Sequence, residues 1–248
     1  MTIHKLYNGD VELKFEEGRH IYTVAGKKVV SVTGVTGIID KSGPLMWWAV
    51  GECLDFVTTN FCFDVDRRNK EMDEVELKEF LHGAHRAHQR QSQKAKDIGT
   101  LSHEWIESYL NNEDPSPPRN PAMRSTTESW LQWAESVDIE PIETEFKVYS
   151  QEHGYAGTCD FDGYVNRERC LADWKTGKVV YPEHDLQTMA YQIAREEELG
   201  IEYASRWVIV LPKEGGEIVT QRYGPEESER ATKGFLGALD LYHAIKKQ

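Results

Sequence analysis

The strongest constraint on the fold is the order in which hydrophobic periods change along the second half of the chain. Residues 142–150 (IETEFKVYS), 155–165 (YAGTCDFDGYV) and 170–177 (CLADWKTG) read as three successive strands. A helical segment over 184–200 follows, then strands at 204–212 (ASRWVIVLP) and 217–223 (EIVTQRY), then a helix from Pro225 onward. Strands and helices in this order read as an α/β core with a helical N-terminal elaboration. Upstream, residues 20–32 (HIYTVAGKKVVSV) alternate around an Ala-Gly-Lys turn and read as a hairpin. Residues 45–61, after Gly43 and Pro44, read as a helix. A polar stretch at 64–74 leads into a long helical region over 74–110, interrupted near Gly83 and Gly99. Residues 111–121 hold four of the nine prolines and form the clearest loop, before a helix around 123–137. The expected organisation is a single domain over 1–248, with a hairpin and helical elaboration in 1–98 and the core in 99–248.

Composition removes whole classes of function. No apolar run approaches the roughly 18 to 20 residues of a membrane span, and the N-terminal MTIHKLYNGDVELKF has no apolar signal region. Cys53, Cys62, Cys159 and Cys170 make no CxxC pair, so they are expected to be reduced thiols in a cytoplasmic, reducing compartment. A net charge of −13 repels polyanions in general, but local charge can override it. Residues 84–96 carry four cations and no carboxylate, and Arg86, Arg90 and Lys94 recur at i, i+4 and i+8 on one helical face. That face is either a solvated surface or a phosphate-binding stripe.

The chemistry concentrates in the middle strands, which carry Asp160 in GTCD and Asp173 with Lys175 in DWK. A two-residue turn at Asn166 and Arg167 sets Asp160 opposite Asp173, whereas a four-residue turn over 166–169 sets it opposite Lys175. In either register the three residues share one patch, because Asp173 and Lys175 lie on one face. Two adjacent carboxylates repel unless a proton or cation intervenes, and hard oxygen ligands suit Mg²⁺ or Mn²⁺. A lysine beside them can orient or deprotonate a water and stabilise charge developing on phosphorus. The alternative is a surface Asp and Lys pair. Asp162, on the face of Asp160, is either a supporting carboxylate or solvated. A helix beginning after Gly99 places His103 and Glu107 one turn apart, and DLQTMAYQIA does the same for Gln187 and Tyr191.

Taken in order, HIYTVAGKKVVSVTGV, GPLMWWA, GTLSH, YAGTCD, DWKTG and QTMAY resemble the motifs of the PD-(D/E)XK nuclease superfamily. The similarity is to RecB-like exonucleases, and within them to the mitochondrial genome maintenance exonuclease group and its phage relatives, over roughly residues 20–211. The resemblance implies a restriction-endonuclease-like core, a central mixed sheet flanked by helices, and a metal-dependent DNA exonuclease preferring single strands with a free end. It further implies His103, Asp160, Asp173 and the Trp174 carbonyl as metal ligands, with Asp160, Asp173 and Lys175 catalytic. Gln187 and Tyr191 correspond to a DNA-holding or buttressing motif, and Glu107 and Glu145 to supporting positions. Arg86, Arg90 and Lys94 would guide the strand. Trp47 and Trp48 either stack on bases or pack in a core. The cofactor expected is Mg²⁺ or Mn²⁺. No iron-sulfur cluster is expected, because no cysteine follows Cys170. A phage protein in a bacterial host fits this pattern, with no membrane partner. The rival readings are a structure-specific endonuclease on the same core and a non-catalytic DNA-binding or assembly protein.

Overall fold

The computed structural model describes residues 1–62 and 72–246, so most of the polar stretch 64–74 lies outside the described residues. The strands are β1 (Thr2–Leu6), β2 (Val11–Glu16), β3 (Ile21–Val24), β4 (Lys27–Ser31), β5 (Ile139–Ser150), β6 (Tyr155–Val165), β7 (Glu168–Thr176), β8 (Ser205–Leu211) and β9 (Val219–Tyr223). The helices are α1 (Val32–Thr36), α2 (Ser42–Val57), α3 (Glu74–His85), α4 (Ala87–Leu110), α5 (Pro121–Ser136), α6 (Pro182–Leu199) and α7 (Pro225–Ile245). None of the described helices is long and apolar enough to cross a membrane.

Turn chemistry fixes the two hairpins that matter most. Ala25 and Gly26 between β3 and β4, and Asn166 and Arg167 between β6 and β7, all have positive φ. A two-residue hairpin turn demands that pair of left-handed residues, because its twist then matches that of the strands. Asn166 is locked further: its N–H donates to the Asp138 carbonyl at 2.7 Å, and its Oδ1 accepts from the Asp138 N–H at 3.0 Å. The register that follows pairs Val165 with Glu168 and ends at Phe161 with Ala172, which is the two-residue alternative.

The strands form one mixed, mostly antiparallel sheet in the order β1-β2-β3-β4-β6-β7-β8-β9, with β5 also pairing with β6. Strands β1 and β2 are elements the sequence reading left out. Their signal is present, in Val11, Leu13 and Phe15 at alternate positions after an Asn-Gly-Asp turn, and all three are buried. The sheet is covered on both faces. Val148, Leu171, Ala190, Tyr191, Ala194 and Phe235 form the core beneath α6 and α7. Ile106, Trp130, Trp133, Ala172, Trp174 and Ile209 form the core beneath the end of α4 and α5. Leu171 and Ala172 sit in different cores because neighbouring side chains of a strand point to opposite faces.

The chain divides into two compact units, residues 1–39 with 101–248, and residues 40–100. In the second unit the helical region breaks at Arg86, which leaves α3 with φ −93° and ψ 1°. It does not break at Gly99, which lies inside α4. A single mid-helix glycine costs only about 1 kcal/mol relative to alanine, too little to stop a 24-residue helix. At Gly83 a Cβ would lie 3.0 Å from the Phe56 ring, a tighter approach than ordinary van der Waals contact.

Candidate metal and catalytic site

The site begins at an interruption in the sheet. Strand β5 pairs with β6 along its full length, so β7 and β4 must share the other edge, at residues 161–165 and 155–156 respectively. Residues 157–160 have no strand on that side. In place of a ladder bond, Asp160 Oδ2 accepts the Trp174 N–H at 2.7 Å, which brings Asp160 beside Asp173. Gly157 lies in the same gap because the Tyr191 ring fills it; a Cβ would lie 2.6 Å from the ring carbon Cε1.

Across the other edge, the β5 register pairs Thr144 with Phe161 and Phe146 with Cys159, leaving Glu145 to face Asp160 outside the ladder. Glu145 has φ +47° in the middle of a strand. A non-glycine residue held there costs about 1–3 kcal/mol, which surrounding contacts must offset. One such contact is Lys147 Nζ, which donates to the Glu145 carbonyl at 3.1 Å. Lys147 is a site neighbour that the sequence reading missed, although it shares a face with Glu145 by the period of two. Burial pulls its pKa down, and the carboxylates of Glu145 and Glu107 oppose that pull.

His103 enters from α4. Its Nδ1 lies 3.4 Å from Asp160 Oδ1 and 3.6 Å from Glu145 Oε1. One donor atom from each of His103, Glu145 and Asp160 falls within 4.8 Å of the others. Burial alone would lower the imidazole pKa, but the two carboxylates outweigh it and hold the ring at about 10. Three convergent donors, one nitrogen and two oxygens, fit a divalent metal ion. Glu107, one turn along from His103, is half-buried, and its pKa is raised by burial and then by Glu145.

Asp173 and Lys175 form a second, adjoining cluster. Asp173 is 1% exposed; its Oδ2 meets Lys175 Nζ at 2.5 Å, and its Oδ1 accepts from Gln187 Nε2 at 3.3 Å. Gln187 also donates to the Tyr191 hydroxyl at 2.7 Å, so the pair from α6 braces Asp173 from behind. Burial lowers the Lys175 pKa, but Asp173 and Asp160 raise it further, so the ammonium stays protonated. Of the four expected ligands, the three-donor group thus contains His103 and Asp160, with Glu145 as its third member. Asp173 is engaged by Lys175 and Gln187, and Trp174 meets Asp160 through its amide.

Asp162 is neither solvated nor part of this group. It is fully buried, with Arg169 at 2.6 Å, Arg195 Nε at 3.3 Å and the Tyr203 hydroxyl at 2.9 Å. Arg195 also bridges to Glu198 at 2.9 Å and to Glu143.

In the second unit, Arg86, Arg90 and Lys94 do not form one continuous helical stripe, because Arg86 occupies the break. Arg90 donates to the Gly83 carbonyl at 2.8 Å and stacks over Phe56 at 5.1 Å. Together with Lys94 it lines a cavity of about 370 Å³ shared with Glu52 and Asp55. Trp47 is 73% exposed, so core packing does not account for it; Trp48 meets His88 edge to face at 6.3 Å. Cys53, Cys159 and Cys170 are free thiols, and burial pushes Cys170 up to about 12.

No protein-family model matches the sequence, and no curated protein matches it. Among solved structures the chain is similar to SSO0001, with 10% identity, 82% of this chain and 87% of that one covered, and a TM-score of 0.37. It is also similar to the alkaline exonuclease LHK-Exo from Laribacter hongkongensis, with 10% identity, 88% and 92% covered, and a TM-score of 0.34. The complex of LHK-Exo with dAMP gives 11% identity, the same coverage and a TM-score of 0.34. Likenesses at this level leave the functional question to the residues themselves.

Proposed function

We propose that the protein is a metal-dependent DNA exonuclease that works on single strands with a free end, as the resemblance of its motifs to RecB-like nucleases implies. The observation that carries this reading is the adjacency of two clusters at one gap in the sheet. His103, Glu145 and Asp160 converge as donors, and a protonated Lys175 stands on buried Asp173 beside them. His103, Glu145 and Asp160 would hold a divalent cation, which would supply Lewis acidity toward a phosphate oxygen and an attacking water. Lys175 orients that water and donates to charge developing on the phosphate oxygens, while attack in line breaks the P–O bond. Asp173 fixes the ammonium, and Gln187 and Tyr191 fix Asp173. Trp47, exposed in the second unit, stacks on bases of the strand. Arg86 and Lys94 contribute phosphate contacts there, and Arg90 has the added duty of tying Gly83.

The test is digestion of end-labelled single-stranded, duplex and circular DNA with Mg²⁺, Mn²⁺ or EDTA. Metal-dependent loss of linear single strands is expected, abolished by EDTA and reduced about 10²-fold or more by Asp160→Asn. Cutting of circular single strands would replace the exonuclease reading with an endonuclease. Absence of any metal-dependent cutting would overturn the nuclease reading and leave a DNA-binding module.

A further inference from the structure

The connection between β7 and α6 bounds a cavity of about 250 Å³, lined among others by His103, Lys175, Val179, Tyr181 and His184. Val179 and Tyr181 are 48% and 52% exposed. Single exposed apolar side chains are ordinary on a protein surface. These two differ because the cavity they wall opens onto the ammonium and imidazole of the site. Tyr181 is also held in place. It is the N-cap residue of α6 with Pro182 directly after it, and its N–H donates to His184 Nδ1 at 3.2 Å. The Tyr181 and His184 rings meet edge to face, with centroids 5.6 Å apart. At its other end the connection is pinned by the Gly177 N–H, which donates to the Leu211 carbonyl at 3.1 Å. A stiff, partly exposed aromatic loses little freedom when a flat partner covers it.

Resting on the nuclease reading above, we propose that this cavity seats the base of the nucleotide next to the phosphate being cut, stacked on Tyr181. The Lys175 ammonium, beside the donor cluster that His103 belongs to, lies where a phosphate belongs, and the apolar wall lies where a base belongs. The volume, about 250 Å³, is just below the usual range of ligand sites, about 300–1,000 Å³, and so suits a single base and not a duplex. Every base offers a π-face to Tyr181, so the site discriminates little among the four. Its role is to hold the strand end in register with Lys175.

The test uses single-stranded oligonucleotides carrying 2-aminopurine at each of the first four positions from either end. They are bound to Asp173→Asn protein, which retains the cavity but not cutting. Stacking predicts fluorescence quenching at one position, lost on adding Tyr181→Ala and restored by Tyr181→Phe. In otherwise wild-type protein, Tyr181→Ala should raise KM about tenfold, with a smaller change in kcat. If wild type cuts DNA while quenching and KM both ignore Tyr181→Ala, the stacking site is overturned and the nuclease reading stands. If wild type cuts no DNA, both fall.

Discussion

Lys175 and Asp173 are expected to couple strongly in stability as well as in catalysis. The Asp173 carboxylate is 1% exposed, and its ionic partner is Lys175 Nζ at 2.5 Å; Gln187 adds one longer hydrogen bond. Removing one member of a buried pair leaves an uncompensated charge, which costs about 3–5 kcal/mol, whereas replacing both can be nearly neutral. Lys175→Met should therefore lower Tm by roughly 6 to 20 °C in a chain of this size, at about 2–4 °C per kcal/mol. Asp173→Asn should cost less, because the lysine keeps Asp160 as a neighbour. The double variant should recover much of the Lys175→Met loss. A double-mutant cycle in urea, run in EDTA, measures the coupling, expected at about 1–3 kcal/mol. Additivity within about 0.5 kcal/mol, or a Lys175→Met cost below about 1 kcal/mol, would refute the assignment of a buried pair. Because Asp173 is buried, neither substitution is expected to spare the stability of the fold. Activity comparisons must therefore be made below the Tm of each variant.

Glu145 offers a cleaner separation of backbone from side chain. Because its φ is +47°, Glu145→Gly should be about 1 kcal/mol more stable than Glu145→Ala, measured by urea unfolding; equal stabilities would mean the left-handed backbone is not maintained. In EDTA the His103 pKa, held near 10 in the folded chain against about 6.5 unfolded, gives stability that is fully present below pH 6.5 and lost as pH rises through 10. His103→Gln should flatten that fall; an unchanged pH profile would show that the carboxylates do not hold the proton. Mn²⁺ or Mg²⁺ should raise the Tm of wild type but not of Asp160→Asn, and equal shifts would place the cation elsewhere. Arg195→Met, which strands Asp162 in the core, should cost about 3–5 kcal/mol, and a loss under 1 kcal/mol would mean that Arg169 and Tyr203 suffice.

Much of the central sheet was legible because its signals are local. A period of two, with either turn, put Asp160, Asp173 and Lys175 on one patch, and helical spacing paired His103 with Glu107 and Gln187 with Tyr191; that these groups meet was implied by the motif resemblance. Glu145 was harder to interpret. Its place among the donors depends on a left-handed residue inside a strand, which no periodicity announces. Lys147 was missed because it works through the Glu145 backbone carbonyl. The buried network around Asp162 was illegible for a similar reason: Arg169 comes from β7, Arg195 from α6 and Tyr203 from the connection after α6, and only the tertiary fold shows that they meet. The helical break at Arg86 went unseen because glycine is a weak helix breaker and arginine gives no stop signal.

The gap in the β6 edge also bears on the order of events in folding. The β6 and β7 hairpin closes across two residues, whereas β4 reaches the same edge by pairing Val30 with Tyr155, about 125 residues away. Closing so long a loop is entropically slow compared with a hairpin turn. Asp160 and Asp173 should come together early, while the N-terminal strands that complete the edge dock late. Pulsed hydrogen exchange during refolding would then show protection at Phe161 and Ala172 before Val30 and Ser31, and the reverse order would reject this sequence of events. A chain still emerging from synthesis would hold its carboxylates in place before Gln187 and Tyr191 exist to brace them, so the braced site would be complete only with the last third of the chain.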